Sequence, residues 1–128
     1  MRLWAAFVVH DWGYWGCKTM DGEDGKEHPR LGGRIMGKMF GHEWGEFVTY
    51  HSRTTARADG KPMTQLTAAD KLAQGCLPKW LYMLLGTMSG EIHEYAGGSG
   101  LDEWYWKARD HMVKWAYDHA DECLPPPR

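Results

Sequence analysis

Apolar residues recur along most of this chain at the spacing of amphipathic α-helices. A helix over about 29–40 is predicted by the three- and four-residue steps between Leu31, Ile35, Met36 and Met39. Pro29 suits its first turn, where the missing N–H does no harm. No convincing strand pattern or internal repeat is present. The sequence therefore predicts an all-α fold, with about six helices packed in one compact bundle.

The other helices are predicted from the same periodicity. They cover residues 3–11, 43–57, a segment from Thr64 or Thr67 through Ala73, the apolar stretch 80–88 and a last helix over 101–122. The breaks between them are a glycine-rich aromatic segment at 12–16, a polar loop at 18–27, a turn at 59–62 and a flexible segment at 96–100. We interpret 1–123 as a single domain and 124–128 as a proline-rich tail that cannot continue a helix.

Length and composition narrow the class of protein. A chain of 128 residues is long enough for one domain with one core. The formal net charge of −2 gives no strong nucleic-acid signal, and no segment has the roughly 18 apolar residues of a membrane span. Eight tryptophans indicate a thick aromatic core or an aromatic pocket, and the apolar stripe of the last helix makes a homodimer plausible. We expect Trp12 and Trp15 to be core residues, with stacking on a base as the alternative.

Three cysteines, Cys17, Cys76 and Cys123, lack the CxxC spacing of zinc fingers. Their odd number does not fit a disulfide scaffold. A reducing compartment is then the default, so a cytoplasmic protein is predicted.

The pair His10-Asp11 follows directly after the apolar run 3–9. Burial of an imidazole and a carboxylate is costly without a partner, and a divalent metal ion suits both side chains. His28, His51 and Asp70 follow at intervals long enough for each to come from a different helix or loop. Mixed histidine and carboxylate ligands suit one or two divalent ions, namely Mn, Fe, Co, Ni or Zn.

Each of these residues also has a purely structural interpretation. His10-Asp11 could be a capping or core pair, His28 could simply precede a helix, and His51 could be a hydrogen-bonded core histidine. Arg53 and Lys71 flank two of the candidates and could contact an anionic substrate, although Lys71 could equally lie on a solvated helix face.

Four motifs occur in a telling order: His10-Asp11, His28-Pro29-x-x-Gly32, His51-Ser52 and Ala69-Asp70. This order resembles the core of the HD superfamily of metal-dependent phosphohydrolases, in particular its dinuclear branch, over about residues 3–73. The resemblance implies an HD-like helical domain in which Asp11 bridges two ions. It further implies that His10 and Asp70 bind one ion and that His28 and His51 bind the other.

Two features depart from the family pattern. The family usually carries another histidine upstream of the His-Asp pair, which has no counterpart in the nine residues before His10. Tyr14 stands where the family often has a lysine.

The function expected from this resemblance is a metal-dependent phosphohydrolase that acts on a nucleotide or another small phosphate ester. A metal-activated hydroxide would attack phosphorus, with Asp11, Arg53 and Lys71 as the catalytic residues. The alternatives are an HD-type diiron oxygenase and a degenerate HD domain that acts as a binding protein.

Overall fold

The computed structural model describes residues 1–17, 22–89, 92 and 100–128. Within these residues the secondary structure is helical and contains no strand, so the prediction of an all-α bundle is confirmed. The helices are α1 (Arg2–Val9), α2 (Glu23–Lys26), α3 (His28–Phe40), α4 (His42–Thr49), α5 (Arg53–Ala58), α6 (Gln65–Cys76), α7 (Lys79–Ser89) and α8 (Leu101–His119). Two 3₁₀ turns, Trp12–Tyr14 and Ala120–Glu122, follow α1 and α8.

Two apolar clusters hold these helices together. The first joins α1, α3, α4 and the start of α6 through Ala6, Val9, Met36, Trp44, Phe47, Val48 and Leu66. The second joins α7 to α8 through Tyr82, Tyr105 and Met112. Tyr105, Met112 and Trp115 of the last helix are buried, whereas Leu101 at its start is half exposed. No helix in the described part of the chain is long and apolar enough to cross a membrane.

Glycines allow α3 to approach its neighbours closely. A Cβ atom at Gly32 would lie 2.5 Å from the carbonyl oxygen of Val9, the last residue of α1. A Cβ atom at Gly33 would lie 2.0 Å from Oγ1 of Thr49, at the end of α4. The close contact at Gly32 places the first turns of α3 against the end of α1, where His10 follows.

The predicted helix over 43–57 is wrong, because the chain turns between α4 and α5. Ser52 has an extended backbone, with φ −76° and ψ 121°, and its hydroxyl accepts a hydrogen bond from the Thr55 amide at 3.4 Å. This is the N-cap of a new helix, so His51 lies in a turn and not on the apolar face of one long helix.

Other boundaries agree more closely with the sequence. The predicted polar loop at 18–27 contains the single helical turn α2, while residues 18–21 lie outside the described part. Except for Gly100, the predicted flexible segment at 96–100 lies outside it as well. The tail is not helical, and Leu124 pairs with the chain before α6 by donating to Met63 O and accepting from the Gln65 amide, each at 2.8 Å.

Candidate metal centre

The five predicted ligands form one connected group of contacts, although they come from separate elements. His10 is the residue that ends α1, and Asp11 follows it. His28 begins α3, His51 lies in the α4–α5 turn, and Asp70 lies in α6. The three imidazoles are buried, with exposed fractions of 5–7%. Their roles as ligands stay a prediction, but their proximity is a feature of the structure.

Asp11 lies in the middle of the group, and its two oxygens face different partners. Its Oδ2 is 3.1 Å from Nε2 of His10. Its Oδ1 is 3.4 Å from Nε2 of His28 and 3.5 Å from Nε2 of His51. Oδ1 of Asp70 approaches His10 Nε2 from another direction, at 3.4 Å. Asp11 therefore links a His10–Asp70 contact to His28 and His51, and His10 and His51 are themselves neighbours, with ring centroids 4.9 Å apart.

The backbone fixes the orientation of all three imidazole rings. In each case Nδ1 faces the carbonyl oxygen three residues earlier, at 2.6 Å in His10, 2.5 Å in His28 and 2.6 Å in His51. Since a carbonyl can only accept, Nδ1 carries the proton and donates it. A neutral ring then presents the lone pair of Nε2 to the centre, which is the orientation that backbone carbonyls impose on metal-binding histidines.

In the centre, hydrogen-bond acceptors therefore face other hydrogen-bond acceptors. Lone pairs from three Nε2 atoms point towards the oxygens of two carboxylates, and such groups repel each other unless a proton or a cation lies between them. His10 shows this demand for positive charge. Burial alone would lower its pKa, but the hydrogen bonds and charges of Asp11 and Asp70 outweigh burial and raise it to about 10.

The other groups respond to the same surroundings. Burial opposes ionisation of Asp11, yet the histidines His10 and His51 hold its pKa well below the usual range. Burial favours the neutral ring and lowers the pKa of His28 to about 4, although the hydrogen bond to the Gly25 carbonyl acts in the opposite direction. Asp11 is therefore an anion and His28 a neutral donor near neutral pH.

These spacings fit a divalent ion. Nitrogen and oxygen ligands bind such ions at about 2.0–2.2 Å, so neighbouring ligand atoms lie about 3.0–3.5 Å apart. The contacts of Asp11 with the three histidines, at 3.1–3.5 Å, fall in that range. Ligand atoms of His10, Asp11 and His51 also all lie within 4.8 Å of one another. The residues present could hold a metal ion.

Gln74 is a member of the site that the sequence analysis missed. Its Nε2 lies 3.1 Å from each oxygen of Asp70, one helical turn earlier in α6. The side-chain amide therefore donates to the carboxylate and restrains its rotation. The signal in the sequence was the four-residue spacing, which places both side chains on one face of a helix.

Tyr14 and Gly13 support His28 from the 3₁₀ turn. The Tyr14 ring stacks on the His28 ring, with centroids 3.7 Å apart and planes 15° apart. A Cβ atom at Gly13 would lie 2.0 Å from the carbonyl oxygen of His28, so this contact needs a glycine. Tyr14 thus packs on a predicted ligand, at the position where the HD pattern often has a lysine.

A cavity of about 850 Å³ opens beside the centre. His10, Asp11 and Asp70 lie on its wall, together with Gln74. Trp12 and Trp15 also line it, and their exposed fractions are 52% and 95%. The prediction that these two tryptophans are core residues is wrong, because the turn after Asp11 carries both indoles outwards.

Arg53 and Lys71 lie elsewhere. The Arg53 guanidinium lies 5.4 Å from the ring centroid of Trp115 in α8, and the Lys71 ammonium 5.3 Å from it. Among the described residues that line the cavity, neither is present. Their contact with a substrate stays a prediction, and in the structure both cationic groups lie over the Trp115 ring.

Comparisons with protein-family models, curated proteins and solved structures found no match. The resemblance to the HD superfamily therefore depends on the four motifs of the sequence.

Proposed function

We propose that this protein is a metal-dependent phosphohydrolase that acts on a small phosphate ester and uses one or two divalent ions. The observation that carries the proposal is the convergence of three imidazole Nε2 atoms and two carboxylates beside a cavity. Such a set has excess negative charge and fixed geometry, which is what a divalent ion requires.

The contacts suggest which residues would hold each ion. His10 and Asp70 would hold one ion, His28 and His51 a second, and the two oxygens of Asp11 would serve both. The backbone carbonyls keep the imidazole lone pairs directed at the centre, and Gln74 keeps Asp70 in place. A divalent ion bound here would lower the pKa of water and offset negative charge on a phosphoryl group.

Three observations support the finer parts of this proposal. The mixed nitrogen and oxygen ligands suit Mn, Fe, Co, Ni or Zn. The order of the four motifs, whose predicted ligands meet in space, supports membership of the HD superfamily. The free thiols of Cys17, Cys76 and Cys123 fit a reducing, cytoplasmic environment.

The test is metal content followed by hydrolysis. Protein incubated with Mn or Fe and then desalted is analysed by elemental mass spectrometry, beside Asp11→Ala and the control Asp110→Ala, whose side chain is exposed. We expect one or two ions per chain in the unmodified protein and the control, fewer in Asp11→Ala, and Mn-dependent release of phosphate from phosphate esters. Absence of bound metal under all loading conditions would overturn the proposal. An iron pair that consumes oxygen, without phosphate release, would replace it with the oxygenase.

A further inference from the structure

The cavity beside the metal centre has aromatic side chains on two sides. Trp12 and Trp15 lie on one side, in the short segment after Asp11. Tyr82 of α7 and Phe7 of α1 also contribute to the lining. Trp15 is 95% exposed, so a large indole is offered to the solvent at the cavity edge. An exposed indole next to a cavity is a surface on which a flat ring can stack.

The cavity has room for a small organic molecule. Its volume of about 850 Å³ lies within the range of about 300–1,000 Å³ that is typical of sites for small ligands. The remaining lining includes aliphatic side chains of Leu77, Leu85 and Met88. Because the polar ligand groups lie in one part of this wall, a ligand would place its charged group there and its apolar part against the aromatic side chains.

The charge of the lining limits how much negative charge a ligand can bring. Apart from His10, the charged side chains among the described lining residues are Asp11 and Asp70, and both are acidic. Bound divalent ions would compensate the carboxylates and one phosphoryl group. Additional phosphate groups would extend into a cavity whose described walls offer no lysine or arginine, and like charges at short distance repel each other.

From this lining we propose that the cavity binds a phosphate monoester whose organic part carries a planar ring system, and that it selects against polyphosphates. Trp12 and Trp15 are the residues that contact the ring. This inference rests on the proposed function for the phosphoryl group, whereas the ring contacts can be tested separately.

The first experiment compares kcat/KM of the Mn-loaded protein for three probes. Adenosine 5′-monophosphate and glycerol phosphate are both alkyl monoesters, so their intrinsic reactivities are similar and only one carries a ring. Adenosine 5′-triphosphate carries the same ring with more charge. We expect kcat/KM to be at least 10-fold higher for the ring-bearing monoester than for glycerol phosphate. For phosphate release from the triphosphate, we expect kcat/KM to be at least 10-fold lower than for the ring-bearing monoester.

Two variants test whether the preference for the ring-bearing monoester arises in the cavity. Trp12→Leu and Trp15→Leu should each reduce the ring preference by about 10-fold, in line with the usual strength of ring stacking on aromatic side chains. Trp80→Leu is the matched control, because Trp80 is 69% exposed and lies outside the described cavity lining. Circular dichroism verifies that each variant keeps its helical content.

A second experiment separates this inference from the proposed hydrolysis. Binding of adenosine, which has no phosphate, to the Mn-loaded protein is measured by calorimetry. Binding that weakens in Trp15→Leu but not in Trp80→Leu supports the ring site even if no ester is hydrolysed. Equal turnover of both monoesters with no adenosine binding overturns the ring site while the hydrolase stands. Equal efficiency with the triphosphate overturns the selection by charge.

Discussion

At the scale of single residues, the centre depends on groups that fix its ligands. Each imidazole is oriented by a carbonyl of its own chain segment, and this geometry follows from the backbone around His10, His28 and His51. Asp70 has no such carbonyl, because a carboxylate can only accept. Its orientation depends instead on the amide of Gln74.

We therefore expect Gln74→Leu to weaken metal binding. Groups that hydrogen-bond to metal ligands typically contribute about 10- to 100-fold in affinity. Loss of the two 3.1 Å contacts should raise the Kd for Mn by at least 10-fold, as measured by calorimetry. Gln65→Leu, at an exposed position in the same helix, is the matched control and should bind as the unmodified protein does. Equal affinity in both variants would show that Asp70 does not need the amide.

The residues that converge on the centre could be named from the sequence, whereas the groups that orient them could not. A His-Asp pair after an apolar run, followed by His-Pro and Ala-Asp, indicates the chemistry without coordinates. Gln74 became visible only once the register of α6 placed it beside Asp70. Trp12 and Trp15 were misassigned because apolar character alone does not tell a buried indole from one that lines a cavity.

At the scale of elements, the site depends on how closely α1, α3 and α4 approach one another. Periodicity predicted α3 well, but it could not reveal which of its glycines touch a neighbour. Gly32 meets the backbone of α1, whereas a Cβ atom at Gly37 would have its nearest neighbour, Gly45 Cα, at an ordinary 3.7 Å. The break at Ser52 was missed because Trp44, Phe47, Val48 and His51 keep helical spacing up to it, although a serine in mid-helix was a signal for a cap.

These two glycines provide a matched pair of substitutions in one helix. Gly32→Ala would bring a methyl group to 2.5 Å from the Val9 carbonyl, and such overpacking costs about 1–3 kcal/mol. Gly37→Ala meets no clash and should stabilise the helix by about 0.5–1 kcal/mol. Urea denaturation measures both free energies of unfolding. Equal effects of the two substitutions would refute the close approach of α1 and α3 at Gly32.

At the scale of the whole molecule, the centre joins parts of the chain that are far apart in sequence. His10 and Asp70, which are 60 positions apart, face each other, and Asp11 contacts the beginning of α3 and the α4–α5 turn. The all-α class followed from local periodicity. The periodicity could not show which helices contact each other, because that arrangement depends on long-range packing that a periodic pattern does not encode. Bound ions would therefore together cross-link four segments.

Removal of metal should accordingly lower the thermal stability of the whole fold. An ion at 100 times its Kd stabilises the folded state by about 2.7 kcal/mol, because it binds the assembled centre and not the unfolded chain. For a domain of 128 residues this corresponds to a fall in Tm of about 10 °C on treatment with a chelator. Scanning calorimetry with and without Mn measures the difference.

In Asp11→Ala the difference should vanish, since both oxygens that face the histidines are lost. His42→Ala should retain it, because the His42 side chain is 86% exposed and contacts Glu46 instead of the centre. A Tm that is the same with Mn and with chelator in the unmodified protein would mean that the five side chains converge without holding an ion.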